Sequence, residues 1–272
     1  VVQAAAYDAG FPGAGRVLKE LSKVFPSVSY FGQDSTIIPT HEPFLFLPAW
    51  NPVYLQIINH ATSKVVIVWS SPLLQTEMVP KELEYIAEIR RLIDLGKIHA
   101  VWCGHPNTVE FFRGKGFHAP YPVSLPAEKR GRSLPPHRIS LFGPMHPRKN
   151  VLAQAMAFKL LMTGTQLLTL HLTDSSAVPI MAAAGIPVGE NDWTKSGLCD
   201  HGWLSEIDYE RALEQMDVGL QVSVPGVESF SFVAWDHISR GIPCLTTVPW
   251  APEELRVKEW SDPRAIAAQV DG

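Results

Sequence analysis

The sequence predicts an α/β protein of two domains, each built on a parallel sheet with helices on both faces. Short apolar runs alternate with helix-length segments along the 272 residues, and this alternation is typical of parallel sheets. A segment rich in Pro and basic residues, SLPAEKRGRSLPPHR, interrupts the alternation, which then restarts. The composition, 46% hydrophobic and 18% charged, supports a sizeable core. We therefore place one domain at 1–130 and a second at 131–272. Doubly wound sheets bind ligands beyond the carboxyl ends of their strands, so we expect the two domains to face each other across a cleft.

The first half contains five runs that predict strands and three that predict helices. The strands are expected at VVQAAAY, PFLFLPA, KVVIVWSS, IHAVWCG and APYPV. The helices are expected at RVLKELSKVF, after a turn FPGAG, at PKELEYIAEIRRLIDLG and at PNTVEFFRGKG. Pro80 near the start of the second helix and Gly96 after its end are the residues that commonly mark these positions.

The second half repeats the alternation. Strands are expected at RISLFG, QLLTLHL, CDHGWL, DVGLQVS and IPCLTT. Helices are expected at NVLAQAMAFKLLMTG, SSAVPIMAAAG and SEIDYERALEQM, and a fourth is expected within ESFSFVAWDHIS after its Ser/Phe-rich turn. Ser205 and Asp208 occupy the cap and third positions of the third helix, which is a variant of the capping box.

The bulk properties exclude some classes of function. A net charge of −4 argues against a surface for nucleic acid. The cysteines, Cys103, Cys199 and Cys244, are scattered and odd in number, so we expect reduced thiols in a cytoplasmic protein. No run approaches the roughly 20 apolar residues of a membrane span, although peripheral membrane contact stays open.

A basic pair follows the first strand of the second half. Arg148 and Lys149 lie in the loop PMHPRKN, directly before a predicted helix. Cations beside helix N-terminal amides suit a phosphate group. The alternative is a solvated basic turn, and Arg148, one position earlier than Lys149, is the residue expected to face solvent.

Two carboxylates lie eight positions apart in the stretch ESFSFVAWDHISRGIPCLTT. Glu228 precedes the predicted helix and Asp236 lies within it. Ser229 and Ser231 are candidate N-caps, so the backbone amides of Phe230 and Ser231 are expected to point towards a ligand. The alternative is a surface acid that interacts favourably with the helix dipole, together with a solvated Asp236.

In order, the segments LFGPMHPRKNVLAQAMAF, DHGWLSEIDYERALEQMDVGLQVS and ESFSFVAWDHISRGIPCLTT resemble the donor half of the retaining GT-B-fold glycosyltransferases, of the family 4-like (group 1) type. The family pattern combines a Gly-Arg-x-x-x-x-Lys loop, an x-Gly-x-hydrophobic turn, an Ala-Asp strand ending in Ser, and Glu-x7-Glu followed by Gly-x-Pro. The residues that match this pattern are Gly143, Lys149, Gly202, Asp217, Ser223, Glu228, Gly241 and Pro243. The resemblance implies two Rossmann-like domains and transfer of a sugar from a nucleotide-diphosphate sugar to an acceptor hydroxyl, with retention of configuration. The sequence shows no DxD-type metal motif in a convincing loop, so we expect transfer without a metal ion or cofactor.

The resemblance also implies a role for individual residues. Glu228 would lie against the transferred sugar and act as the catalytic residue. The residues implied in donor binding are Lys149 and Arg148 for the diphosphate, the amides of Phe230 and Ser231 for sugar or phosphate, Asp236 for the ribose, Trp203 beside the base, and Gly13 and Gly15 in a glycine-rich loop. For Gly13 and Gly15 a plain flexible turn is an equal alternative.

The sequence departs from the family at several positions. Pro144 replaces the usual Arg, and we expect Arg148 to compensate. Asp236 replaces a Glu and is one methylene shorter. Ser70 and Ser71 stand where the family often has a functional His, and the first half matches only in outline.

These departures keep two other functions open. One is a nucleotide-sugar epimerase or hydrolase of the same fold, and the other is a non-catalytic nucleotide-sugar binding module. For the transferase, the expected partners are a nucleotide sugar and an acceptor that is a saccharide, a lipid or a small molecule.

Overall fold

The structure is a computed structural model that describes residues 4–7, 12–32, 35, 40–48, 52–71, 80–123, 136–163, 167–188, 197–228 and 230–271. The chain divides into two compact units, Val1–Leu125 and Pro126–Gly272. Most of the predicted linker SLPAEKRGRSLPPHR falls outside the described residues. Each unit contains one sheet, and every strand pair in both sheets is parallel.

The sheet of the first unit has six strands among the described residues, in the order β2-β1-β3-β4-β5-β6. The strands are β1 (Ala4–Tyr7), β2 (Val28–Phe31), β3 (Phe44–Pro48), β4 (Lys64–Trp69), β5 (Ile98–Cys103) and β6 (Gly116–His118). The described helices of this unit are α1 (Pro12–Val24), α2 (Pro52–His60) and α3 (Pro80–Asp94), and a 3-10 helix spans Pro106–Phe112. The central strands β3, β4 and β5 are largely buried, as expected for a parallel sheet covered on both faces.

The sheet of the second unit has five strands among the described residues, in the order β11-β10-β7-β8-β9. The strands are β7 (Arg138–Leu141), β8 (Thr169–Leu172), β9 (Gly197–Asp200), β10 (Val218–Gln221) and β11 (Cys244–Thr246). The helices are α4 (Val151–Leu161), α5 (Val178–Ala183), α6 (Glu206–Leu213), α7 (Phe232–Ser239) and α8 (Pro263–Asp271). Shorter 3-10 segments cover Pro147–Lys149, Ser175–Ala177 and Glu253–Leu255.

The two faces of the second sheet differ in polarity. Leu170 and Leu172 of β8 belong to an apolar core that also contains residues of α4 and α8. Because strand side chains alternate between faces, Thr169 and His171 lie on the opposite face, where all the atoms of His171 are buried. Polar groups on this second face are paired: Ser140 Oγ lies 2.6 Å from Nε2 of His237 on α7.

Helix α7 packs unusually close to the sheet at Gly219 on β10. A Cβ atom at this glycine would lie 2.7 Å from Cδ2 of His237 and 2.8 Å from Sγ of Cys244. Interiors are packed too densely to absorb such overlap without movement. Glycine at this position therefore allows the helix that follows Glu228 to rest directly on the strands.

The predicted α/β class with parallel sheets is confirmed, but several local predictions were wrong. The segment FPGAG was expected to be a turn, whereas α1 begins at Pro12 and includes Gly13 and Gly15; proline is well tolerated in a first helical turn. Residues 119–123, expected to be a strand, are irregular, and the edge strand is Gly116–His118 instead. Helix α2 and strand β2 were not predicted, since both are short and their apolar patterns are weak.

In the described part of the chain, no helix combines the length and apolar character that crossing a membrane requires.

Candidate active site

The topology of the second sheet explains why two loops distant in sequence meet. Strands β7 and β10 are neighbours and run parallel, so their carboxyl ends lie at the same edge. The loop with Arg148 and Lys149 follows β7, and Glu228 follows β10. Ligands of doubly wound sheets bind at this edge.

Glu228 and Lys149 form a close ion pair. Lys149 Nζ lies 2.7 Å from Oε1 and 2.9 Å from Oε2 of Glu228, so the ammonium contacts both carboxylate oxygens. The hydroxyl of Ser223 donates to Oε2 at 2.9 Å. Both side chains are mostly buried, at 11% exposure for Lys149 and 10% for Glu228. We call Arg148, Lys149 and Glu228 the charged cluster.

A buried amide holds Lys149 in place. Gln221 at the end of β10 donates through Nε2 to the carbonyl of Phe142 at 2.8 Å. This fixes its Oε1, which accepts from Lys149 Nζ at 3.3 Å. Gln221 was not identified from the sequence. Its position at the carboxyl end of a predicted strand is the sequence feature that could have indicated it.

The charges around Glu228 determine its protonation. Burial alone raises the pKa of a carboxyl group, but the charge and hydrogen bond of Lys149, the charge of Arg148 and the hydrogen bond of Ser223 lower the pKa of Glu228 below its ordinary value of 4.5. Glu228 is therefore an anion at neutral pH.

Arg148 belongs to the same cluster, and the expectation that it faces solvent was wrong. Its side chain is 18% exposed, and its Nε lies 3.6 Å from Oε1 of Glu228. The carbonyl of Arg148 accepts a hydrogen bond from the amide of Val224 at 2.9 Å, which fixes the loop against the segment after β10. Arg148 Nε is buried and has no hydrogen-bond partner among the described residues. Two cations thus face one carboxylate.

The loop before the basic pair is anchored at two points. Gly143 has a φ of +90°, where a side chain would be strained, and its amide donates to Oγ1 of Thr173 at 2.8 Å. The amide of Met145 donates to Oδ2 of Asp174 at 2.8 Å. Burial raises the pKa of Asp174, but the bonds from Met145 and Ser176 outweigh it and lower the pKa overall. Thr173 and Asp174 were also missed from sequence, although they directly follow β8.

Helix α7 begins where the sequence indicated. Ser231 is its N-cap, and its hydroxyl accepts from the amide of Ala234 at 3.3 Å, so this prediction is confirmed. Ser229 lies outside the described residues. The ring of Phe230 stacks on Trp250 at 5.3 Å between centroids, which fixes the backbone just before the helix. The helix itself begins at Phe232, four residues after Glu228.

Asp236 has partners within the second unit. It is 4% exposed, and its Oδ2 accepts from the hydroxyl of Tyr209 at 2.9 Å. Its Oδ1 lies 3.8 Å from Nη1 of Arg240. Asp236 is therefore not a solvated acid, and it links α7 to Tyr209 on α6, a partner that the sequence did not reveal.

Trp203 follows β9 in an open turn. Gly202 has a φ of +63°, and its amide donates to Oδ1 of Asp200 at 2.9 Å. The side chain of Trp203 is 67% exposed, whereas the neighbouring Leu204 packs against Phe142 and α6. The turn thus presents a flat aromatic surface at the carboxyl edge of the sheet.

Gly13 and Gly15 lie in the first unit, in the first turn of α1 after β1. They are helical and do not form the predicted loop. Ser71 lies after β4, and its hydroxyl donates to Oε1 of the buried Glu82 at 3.1 Å. The structure therefore brings together Arg148, Lys149 and Glu228, and Ser231 follows Glu228 by three residues. Gly13 and Gly15 belong to the other unit.

Comparisons with known proteins establish the fold. No family model matches the chain, and no curated protein is similar to it in sequence. Among solved structures it is similar to HepE of Anabaena in complex with UDP and glucose, with 12% identity, a TM-score of 0.62, and coverage of 99% of this chain and 89% of that chain. It is similar to sucrose-phosphate synthase of Thermosynechococcus elongatus, with 12% identity, a TM-score of 0.63, and coverage of 98% and 88%. It is also similar to a UDP-forming trehalose-phosphate synthase of Burkholderia xenovorans, with 10% identity, a TM-score of 0.60, and coverage of 100% and 90%. The fold of this chain is that of the GT-B glycosyltransferases, with two Rossmann-like domains.

Proposed function

We propose that this chain is a glycosyltransferase that moves a sugar from a nucleotide-diphosphate sugar to an acceptor hydroxyl, with retention of configuration. The observation that carries the proposal is the charged cluster at the carboxyl edge of a Rossmann-like sheet: two mostly buried cations and one carboxylate. Within the described part of the chain, Nε of Arg148 has no hydrogen-bond partner. A diphosphate supplies the acceptor atoms and negative charge that this cluster lacks. That HepE was solved with UDP and glucose supports the same ligand class.

The charged cluster suggests how the donor would be engaged. With no donor bound, Lys149 is held by Glu228. A diphosphate would compete for Lys149 and Arg148, and Glu228 would then be available to the sugar. As the sugar–phosphate bond breaks, negative charge grows on the leaving diphosphate, and fixed cations and α7 amides stabilise it. Lys149 and Arg148 would supply the positive charge that a metal ion can supply elsewhere, which is why we propose a metal-independent transfer.

The remaining donor contacts follow the resemblance. Asp236 would take the ribose hydroxyls, since a carboxylate offers about four acceptor sites. Trp203 would flank the base with its exposed ring. The acceptor class is open, and peripheral membrane contact would suit a lipid acceptor. The three free cysteines, all buried, are in keeping with a cytoplasmic location.

Binding measurements with UDP and uridine test the diphosphate assignment. Charge-assisted hydrogen bonds contribute roughly 1.5–3 kcal/mol, so Lys149→Ala should lower the affinity for UDP by about ten- to hundredfold and hardly change the affinity for uridine. Arg148→Ala should weaken UDP as well. Lys258→Ala, which removes an exposed lysine paired with Glu253, is the matched control and should change the affinity for neither ligand. Equal small losses for both ligands would mean that the charged cluster does not contact the diphosphate.

Turnover separates the transferase from the alternatives. Glu228→Gln should lower turnover much more than donor affinity, because its proposed contact is with the reacting sugar. Asp236→Asn should instead lower the affinity for UDP. An epimerase or hydrolase would consume donor without an acceptor, and a binding module would leave every donor intact across an acceptor panel. Either result would replace the transferase assignment.

A further inference from the structure

A second group of side chains on the polar face of the second sheet has donor atoms suited to a metal ion. His171 on β8 and Cys199 on β9 are paired in register, and His201 follows β9 directly. One ligand atom from each of the three lies within 4.8 Å of the others, the only such group found among the described residues. His171 and Cys199 are buried, and His201 is half-buried.

Two of the three distances between these atoms match those between ligands of one ion, and the third is within 4.8 Å. His171 Nδ1 lies 3.0 Å from His201 Nε2, and Cys199 Sγ lies 3.7 Å from the same His201 nitrogen. In a tetrahedral zinc site, bond lengths of about 2.0–2.1 Å to nitrogen and 2.3 Å to sulfur place two nitrogens about 3.3 Å apart and nitrogen and sulfur about 3.6 Å apart. The observed spacings are within a few tenths of an ångström of these values.

A hydrogen-bonded histidine pair explains only part of this arrangement. His201 Nε2 carries at most one hydrogen, yet both His171 Nδ1 and Cys199 Sγ approach it. One N–H···N bond accounts for the 3.0 Å contact, and an S–H bond from Cys199 would then have to share the same nitrogen at 3.7 Å. An ion between the three atoms gives each of them the same partner.

Thr169 supplies the support that histidine ligands usually have. Its Oγ1 lies 2.9 Å from Nε2 of His171, two residues along the same face of β8. When Nε2 donates this bond, the lone pair of Nδ1 points towards His201 and Cys199. Metal-bound imidazoles typically donate their second nitrogen to such an acceptor, which fixes the tautomer and the ring orientation.

We propose that His171, Cys199 and His201 bind one divalent transition-metal ion, with Zn²⁺ favoured by a ligand set of two imidazoles and a thiolate and with the fourth position taken by water. Binding releases the thiol proton of Cys199 to solvent, and the sulfur bonds to the ion as thiolate. The ion would fix the turn that carries Gly202 and Trp203, because His201 is the residue before it. The site is separate from the charged cluster, which follows β7 and β10, and it does not depend on glycosyl transfer.

The test is a titration of metal-free protein with Co²⁺, followed by displacement with Zn²⁺. We expect one equivalent of Co²⁺ to bind with a near-ultraviolet thiolate-to-cobalt charge-transfer band that Zn²⁺ abolishes. This spectrum detects a cysteine ligand in the unmodified protein, so the test remains valid even if a variant fails to fold. Cobalt that binds without the band would overturn the proposal.

Variants assign the ligands. Cys199→Ser should abolish the band, while Cys103→Ser and Cys244→Ser, which change the two other buried free cysteines, should keep it. His201→Gln, at a half-buried position, should lower the affinity for Co²⁺ at least tenfold. Thr169→Val should weaken it by about 10- to 100-fold, the usual effect of losing such a supporting group. A band that survives in Cys199→Ser would place the metal elsewhere and refute this site. No nucleotide is used, so the result is independent of the proposed transferase activity.

Discussion

Removing the charge of Glu228 should destabilise the second unit of the chain. In Glu228→Gln, Lys149 and Arg148 remain mostly buried, at 11% and 18% exposure, without their carboxylate. Breaking a buried ion pair by removing one partner costs about 3–5 kcal/mol. The glutamine carbonyl still accepts one hydrogen bond, so we expect the lower end, about 3 kcal/mol. For a domain of this size that corresponds to a melting temperature lower by about 6–12 °C.

Thermal unfolding of the variant and of a matched control measures this loss. Glu253→Gln removes the carboxylate of an ion pair between two mostly exposed side chains, Glu253 and Lys258 at 3.4 Å, and should cost less than 1 kcal/mol. Inorganic pyrophosphate should raise the melting temperature of Glu228→Gln more than that of the unmodified protein, because it replaces the missing negative charge. Equal melting temperatures for the Glu228 and Glu253 variants would refute the account of the charged cluster.

The pH dependence of the same difference is fixed by the direction of the pKa shift. Burial opposes ionisation, but Lys149, Arg148 and Ser223 together hold the pKa of Glu228 below 4.5 in the folded protein. The stabilisation from Glu228 is therefore fully present above about pH 4.5 and is lost as the pH falls through the folded value. The stability difference between the unmodified protein and Glu228→Gln should shrink below pH 4.5, as measured by urea unfolding. A difference that grows in acid would contradict the assigned charges.

Three further changes test how the site is held. Ser231→Ala should cost about 1 kcal/mol of stability and weaken UDP, whereas Ser205→Ala, the loss of the equivalent cap on α6, should cost a similar amount and leave UDP binding unchanged. Gly219→Ala should lower the free energy of unfolding by about 1–3 kcal/mol, since the added methyl overlaps the ring and thiol packed against it; an unchanged urea midpoint would show that α7 can move away. Tyr209→Phe should cost about 1–3 kcal/mol by leaving the buried carboxylate of Asp236 without its hydroxyl donor, and a neutral result in the same assay would mean that Asp236 does not depend on this bond.

Local patterns were sufficient for part of the site. The cap at Ser231 was predicted correctly because a hydroxyl before a helix start acts on backbone amides only three residues away. Glu228 and Lys149 were singled out because each follows a strand, where ligands bind in this class of sheet. The turn at FPGAG was predicted wrongly, because glycine is compatible with both a loop and a first helical turn.

The amino-acid sequence alone determined the alternation of strands and helices and the glycines and caps at their ends, since these depend on residues a few positions apart. Tertiary structure decided which loops meet. Lys149 and Glu228 are separated by 79 residues and touch only because β10 pairs with β7 in the folded sheet. The same holds for His171 and Cys199, which face each other through the register of β8 and β9. Strand order and register are set by the packing of the whole unit, and no local pattern carries that information.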